Sequence, residues 1–545
     1  MTSGLSDAAA WWSSPGRPGM TGQSWFGTAF PRTIAGLSVG AWSVDLARRV
    51  EPSSPFPGVL GASPSLAAYD SIGFSPLAGA SSEGYQGTMA TAIAVPADAP
   101  ERRTRGIVHF SGGSFGFDDN ALAIERGDSL NWTRAEVATG SHLAAGSLDR
   151  SGHHLWHVAT QWARGAHRVE GGFGHRGSAL LVRGGEEEAA RGGSGYLRYR
   201  NAGDRRWWGF GAERGYDVHE SFGGLLSGSR RDAQTNRGDL GAGWRGERVE
   251  FDARFHVAES EVRRLGEDDT FVNGARWAFG SSGVAVSAGP GRIEASVGAG
   301  RHGAFDALDV APSLSYRIVR QLWSMRTGVK RALWAVWSDL EPAEAPFLQS
   351  TWAIVWDASL HGDSHAARGF VIAGRSRDRA LVPRLPIEEL WLREGFRPDP
   401  DPYTFTLVGA NAEWRHGRWD VRGEGFALAR SDNPEAVAVD PGWGMRAEAG
   451  YRMSFFEGDL AVNARAGAEA VGARDSEGLD PRTLPAYVTS YAAVAVTLAD
   501  AVIALRVRNL EDVIREETWL DTATLSEAVS AGREFRFMVT LKLAN

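Results

Sequence analysis

Cysteine is absent from all 545 residues. Disulfides and thiolate metal centres are therefore excluded, and an oxidising envelope compartment is allowed without being required. Lysine is nearly absent: only Lys330 and Lys542 join a basic set otherwise made of arginine. The 58 basic and 66 acidic residues leave a net charge of −8, which carries no polybasic nucleic-acid signature. No apolar run reaches the roughly 18 residues a transmembrane helix needs. The longest candidate, Tyr491 to Leu505, is broken by Thr497 and Asp500. The opening MTSGLSDAAAWWSSPGRPGM has neither a basic n-region nor an apolar h-region. A chain of this kind that spans a membrane does so as a barrel, with its export signal outside the sequence as given.

Glycine and tryptophan, by contrast, are abundant, at 68 and 21 residues. Many glycines weaken helices and mark turns and bulges. Many tryptophans suit a boundary between apolar and wet surroundings, where the ring is buried and the indole N–H stays solvated.

Alternation with a period of two is the dominant pattern. In RVEFDARFHVA, Val249, Phe251, Ala253, Phe255 and Val257 share one face, and Glu250, Asp252, Arg254 and His256 the other. Near the C-terminus Phe535, Phe537, Val539, Leu541 and Leu543 oppose Glu534, Arg536, Thr540 and Lys542. Trp419 and Val421 oppose Asp420, Arg422 and Glu424, and Trp443, Met445 and Ala447 oppose Arg446 and Glu448. A soluble sandwich also alternates in this way.

The connections discriminate between the two. Long links over Glu511–Gly532, Ala473–Pro485, Ser431–Gly442, Leu381–Pro402 and Leu340–Gln349 take turns with tight ones at Ala499-Asp500, Glu457-Gly458, His416-Gly417, Gly362–Ser364 and near Gln321. An up-and-down barrel of the bacterial outer membrane makes this rhythm, with short periplasmic turns and longer external loops. A Greek-key sandwich has no reason to keep it. Followed back to Arg105, the rhythm predicts an all-β, transmembrane, antiparallel up-and-down β-barrel of about 22 strands. The expected division is residues 1–103 as a small N-terminal plug-like segment and 104–545 as the barrel. The polar faces, with Glu250, Asp252, Arg254, Asp420, Arg422, Glu424, Arg446, Glu448, Arg506 and Arg508, are expected to line a wet lumen as cross-strand ion pairs.

The end of the chain resembles a known family. LPAYVTSYAAVAVTLADAVIALRVRNLED, from Leu484 to Asp512, is followed after a long loop by Gly532-Arg533 and a last alternating strand. This order, at Leu484, Pro485, Tyr487, Asn509, Leu510, Asp512, Gly532 and Arg533, is similar to the C-terminal barrel segment of the TonB-dependent outer-membrane receptors. Ser81 to Val95 looks like the end of that family's plug domain, and Arg105 to Gly116 like its first barrel strand. The sequence departs from the family in having no evident TonB-binding box in Met1 to Phe30. It also ends on Lys542-Leu543-Ala544-Asn545, where an aromatic residue is common. The resemblance implies a bacterial outer-membrane protein, monomeric and surrounded by lipid, that binds and imports a scarce ligand such as a metal chelate or small glycan. It further implies energy passed from the TonB complex of the inner membrane, with no catalytic residue, cofactor or resident metal. A passive porin-like channel, or a barrel that no longer transports, is the alternative.

Several short motifs suggest chemistry on their own. Gly112-Gly113-Ser114-Phe115-Gly116 fits G-x-S-x-G and would make Ser114 the nucleophile of a secreted all-β enzyme. A nucleophile elbow needs a helix directly after it, yet Phe117-Asp118-Asp119-Asn120 favours a turn and Ala121–Glu125 another short strand. The expected role is a glycine-rich strand end. His153 and His157 could share a zinc ion on a helix, but on the alternating strand Leu155–Trp162 they stand roughly 13 Å apart. PDPDP at Pro398–Pro402 could hold calcium, though prolines more simply keep a loop extended. Glu186-Glu187-Glu188 reads as a solvated loop tip. In the loop LPIEELWLREGFRPDPDP, Trp391, Arg393, Phe396 and Arg397 would suit capture of an anionic or aromatic ligand, since arginine pairs bidentately with carboxylates. Trp519 in the last long loop would join them. Packing of loop on loop would use the same residues.

Overall fold

A computed structural model describes the backbone of residues 103–545, except segments 144–147, 183–185, 223–228, 266–269, 303–307, 337–346, 378–402, 432–441, 476–482, 522–525 and 530–531 and residues 129, 515 and 545; within 1–102 it describes only short strands. Alternation predicts strands, and strands are what form. The barrel runs β1 (Arg103–Gly113), β2 (Asp118–Gly127), β3 (Trp132–Leu143), β4 (Leu148–Arg164), β5 (His167–Val182), β6 (Glu186–Ala202), β7 (Arg206–Phe222), β8 (Ser229–Arg245), β9 (Val249–Leu265), β10 (Thr270–Ala288) and β11 (Gly291–His302). It continues with β12 (Asp309–Val319), β13 (Trp323–Val336), β14 (Phe347–His361), β15 (His365–Arg377), β16 (Tyr403–His416), β17 (Trp419–Ser431), β18 (Trp443–Phe455), β19 (Leu460–Val471), β20 (Tyr487–Leu498), β21 (Ala501–Arg508) and β22 (Glu534–Ala544). Each strand pairs antiparallel with its sequence neighbour. β22 closes on β1, from Arg536 opposite Gly113 to Ala544 opposite Arg105. Closure leaves no sheet edge, which a span through hydrocarbon requires.

The two ends of the barrel differ. At one end the links are tight: Gly165-Ala166, Gly289-Pro290, Gly417-Arg418 and Ala499-Asp500 each join two strands directly. Gly417 takes φ 57°, the left-handed conformation a two-residue hairpin turn demands. At the other end lie the long connections before β14, β16, β18, β20 and β22. Two of these carry small hairpins of their own, Arg474–Asp475 with Thr483–Leu484 and Glu516–Asp521 with Ser526–Val529. In the first half the links at both ends are short, but the strands are long, reaching 19 residues in β10. They therefore project past the roughly 10 residues a bilayer needs.

Outward faces are apolar. Phe251, Phe255 and Val257 on β9 and Phe535 and Phe537 on β22 are exposed, while His256 and Arg536 between them are buried. Trp162, Trp208, Trp244, Trp323, Trp414 and Trp419 are exposed within a few residues of the tight turns. They form one of the aromatic girdles expected at a bilayer interface. Among the described residues no helix is long and apolar enough to cross a membrane.

Three local expectations change. Glu186–Glu188 open β6, opposite Leu180–Val182, and are not a loop tip. Asp118–Asn120 already belong to β2, because pairing with β1 and β3 outweighs their turn preference. Gln349 lies inside β14. Within residues 1–102, Gly40–Val44 and Thr91–Pro96 pair in parallel in a four-stranded sheet with Arg48–Arg49 and Tyr69–Ser75.

Candidate binding lumen and the clasp at its rim

The polar faces of β16 to β22 form one continuous wall of ion pairs inside the barrel. Arg422 reaches Glu413 at 3.3 Å and Asp420 at 3.7 Å. Arg465 on β19 bridges Asp420 at 3.6 Å and Glu448 at 2.6 Å. Tyr491 on β20 is the hub: its hydroxyl donates to Glu448 at 3.0 Å and accepts from Arg446 Nε at 2.7 Å. The Arg446 guanidinium also stands 4.7 Å from the centre of the Tyr491 ring, and that of Arg506 stands 5.8 Å from it. Gly467, opposite Tyr491, makes the ring's position possible, since a methyl there would stand 2.5 Å from the hydroxyl. Further round, Arg508 faces Glu469 at 3.8 Å, and Thr489 donates to the same carboxylate at 3.3 Å. Arg536 meets Glu534 at 3.4 Å and lies 4.0 Å over the ring of Phe117. A second cluster on β8, β9, β11 and β13 joins Glu250 to Arg292 and Arg245, and Glu294 to Arg326 at 2.9 Å.

Sequence alternation placed Asp420, Arg422, Arg446, Glu448, Arg506 and Arg508 inward, and the structure brings them together. Arg465, Glu469 and Tyr491 were missed as members of the wall. The cross-strand register that unites them is set by turns, and alternation alone does not give it. Glu469 shares a strand with a small-residue run, AVNARAGAEAV, whose two faces differ little in polarity.

The residues that carry the family resemblance build a clasp at the long-loop rim. Asn509 and Asp512 adopt φ 53° and 59° in a turn directly after β21. Asp512 N–H donates to Asn509 O at 3.0 Å, and the Asn509 side chain exchanges bonds with Val513 at 2.8 and 3.2 Å. The turn then ties the neighbouring strands. Leu510 N–H donates to Ser490 O on β20 at 3.1 Å, and Ser490 N–H donates to both Glu511 oxygens. Arg533 N–H donates to Asp512 Oδ1 at 2.7 Å, and Arg533 Nη2 to Leu510 O at 2.6 Å. A side chain at residue 532 would put its Cβ 2.6 Å from Asp512 Oδ1, so glycine precedes the arginine. Leu484 is fully buried at the end of its hairpin, next to exposed Pro485, and Arg474 stacks 5.1 Å over Tyr487. Asp512→Ala removes a carboxylate acceptor and places alanine at positive φ. It should lower stability by about 1–2 kcal/mol, read as a reduced urea midpoint for the barrel in lipid vesicles. Asp512→Asn should recover most of that loss.

Ser114 lies in the turn between β1 and β2, and its hydroxyl accepts from Phe535 N–H at 2.9 Å. It fastens the barrel seam. His154 stacks on His175 of the next strand at 5.3 Å, on the outer face. Among the described residues no three His, Asp or Glu side chains converge as a metal site. Trp391, Arg393, Phe396, Arg397 and Pro398–Pro402 lie outside the described residues. Trp519 falls in the strand Glu516–Asp521, and its side chain also lies outside them.

No family model matches the sequence, and no curated protein matches it. Solved structures do match. A copper transporter, OprC, superimposes with a TM-score of 0.76 at 14% identity, over 96% of this chain and 94% of its own. The FrpB iron transporter from Neisseria meningitidis gives 0.76 at 10% identity, over 99% and 97% of the two chains. The ferric yersiniabactin uptake receptor FyuA from Yersinia pestis gives 0.71 at 12% identity, over 97% and 93%. The chain has the fold of the TonB-dependent receptors. In that fold the ion-paired wall is the inner lining of the barrel, and the clasp closes its last three strands at the rim of the long loops.

Proposed function

We propose that this chain is a receptor and transporter of the bacterial outer membrane that binds a scarce ligand, such as a metal chelate, and imports it with energy from the TonB complex. The observation that carries this reading is the closed 22-strand barrel with a polar, ion-paired lumen and long loops at one end only. The roles of the similar folds, copper and iron transport and ferric yersiniabactin uptake, favour a metal-bearing cargo. Residues 1–103 act as the plug, and the long external loops, with Trp391, Arg393, Phe396, Arg397 and Trp519, make first contact with ligand. Arginine and aromatic side chains of this kind suit an anionic chelate. The chain works as a monomer and performs no covalent chemistry.

The test is uptake of radioiron- and radiocopper-loaded chelates by cells producing the protein, with and without a functional TonB complex. Accumulation at least about tenfold higher with the energiser is expected. Equal uptake in both strains would remove the energised mechanism and favour a passive channel.

A further inference from the structure

Three side chains stand in one cross-strand row on the outside of the barrel. Arg331 on β13 lies opposite Trp352 on β14, which lies opposite Arg375 on β15. They share a face with exposed Ile354 and Trp356, so all three look outward. Eight residues separate Trp352 from Leu360 beside the tight turn. At roughly 3.3 Å per residue and a tilt near 40°, the row stands about 20 Å above that turn. This is close to the far edge of an apolar band about 25 Å tall.

The arginines behave as cations at that edge should. Arg331 Nε donates to Ser350 Oγ at 2.9 Å, and Nη1 to Val310 O at 2.7 Å. Ser350 pairs with Leu333, two residues further from the tight turns than Arg331. The guanidinium therefore points away from the hydrocarbon, its stem lying along apolar surface, 5.9 Å from the centre of the Trp352 ring. Asp309 approaches Arg331 Nη2 at 4.0 Å, the limit of an ion pair. Arg375 is exposed and has no hydrogen-bond or ion-pair partner among the described residues. The described outward positions of β14 and β15 near the row carry no carboxylate. Two guanidinium groups face at most one acid at the edge of the apolar band, where lipid headgroups begin.

We propose that Arg331, Trp352 and Arg375 form a lipid-binding site that holds a phosphate of the phosphorylated glycolipid of the outer leaflet. Phosphate takes paired N–H donors from guanidinium. Trp352 supports the headgroup boundary, where its ring belongs. The site sits on the outer wall, so it is separate from the lumen and from cargo.

The test uses the full chain in detergent and native mass spectrometry. The probes are lipid A with both phosphates, lipid A with both removed, phosphatidylglycerol and inorganic phosphate. Bisphosphorylated lipid A is expected to remain bound at about tenfold lower concentration than the dephosphorylated form, and Arg375→Gln or Arg331→Gln/Arg375→Gln to abolish that difference. Because Arg375 makes no bond to the described barrel, its single variant should keep the heat-resistant folded band on gels. Equal retention of both lipid A forms, or equal retention by wild type and folded Arg375→Gln, overturns the proposal. Competition by millimolar inorganic phosphate, or preference for phosphatidylglycerol, overturns the glycolipid as occupant.

Discussion

Glu448→Ala is expected to lower the unfolding free energy of the barrel by about 3 kcal/mol, the lower end for breaking a buried ion pair, because lumen water screens part of the loss. The reason lies in what the carboxylate holds. It accepts from Arg465 at 2.6 Å and from the Tyr491 hydroxyl at 3.0 Å, and stands 3.4 Å from Arg446. Its side chain keeps only 11% of its exposure. Without it, two guanidinium groups on β18 and β19 lose their shared anion, and the tyrosine hydroxyl loses its acceptor. Glu448→Gln preserves an acceptor oxygen and should lie between wild type and alanine. Glu448→Ala combined with Arg465→Ala should cost less than the sum of the single changes, since the second removes a charge the first stranded. Urea unfolding in lipid vesicles measures wild type, Glu448→Ala, Glu448→Gln, Arg465→Ala and the double variant. A Glu448→Ala midpoint equal to that of wild type would mean the wall contributes nothing to stability.

Ile354→Arg is expected to cost about 2–4 kcal/mol, the penalty for an arginine near the bilayer midplane on the lipid face of a barrel. Ile354 is 62% exposed, between Trp352 and Trp356. On a water-facing surface that exposure would make an arginine harmless. Thr404→Arg supplies the control, because Thr404 is exposed on β16 and lies opposite Arg375, in the row near the outer interface. There the cost should fall to about 0–1 kcal/mol. The contrast between the two, measured as insertion yield into vesicles and as urea midpoint, reports depth within hydrocarbon and not a general intolerance of arginine. Equal, small effects at both positions would place residue 354 in water.

Much of this architecture was legible in the sequence, for a plain reason. A strand with one face in lipid and one in the lumen alternates over much of its crossing, as Val249 to Val257 does. Tight turns at one end and long links at the other leave a rhythm that survives errors in strand ends. Legibility faded where those signals weaken. Between β1 and β12 both ends carry short links and the strands overrun the bilayer, so Glu186–Glu188 looked like a loop tip when they begin a strand. The inward position of Arg446 and Glu448 followed from parity. Their meeting with Tyr491 and Arg465 did not, because it depends on register across three strands. The clasp was visible as a motif, Asn509-Leu510-x-Asp512 with Gly532-Arg533, but its bonds to Ser490 and across the long loop were not. No local pattern marks the row Arg331, Trp352 and Arg375, whose members come from three strands and meet only through pairing.

The central claim is that one face of each strand touches hydrocarbon and the other an enclosed, polar interior. The absence of cysteine gives a direct measurement, since a spin label can be attached at one introduced thiol at a time. Single cysteine substitutions from Val249 to Val257 on β9, in protein reconstituted into vesicles, are read for collision with molecular oxygen and with a water-soluble nickel chelate. The account requires high oxygen access at 249, 251, 253, 255 and 257, lower oxygen and higher nickel access at 250, 252, 254 and 256, and a period of two between them. Uniform nickel access along the strand, or a chain that stays folded and monomeric in buffer without detergent or lipid, would contradict it.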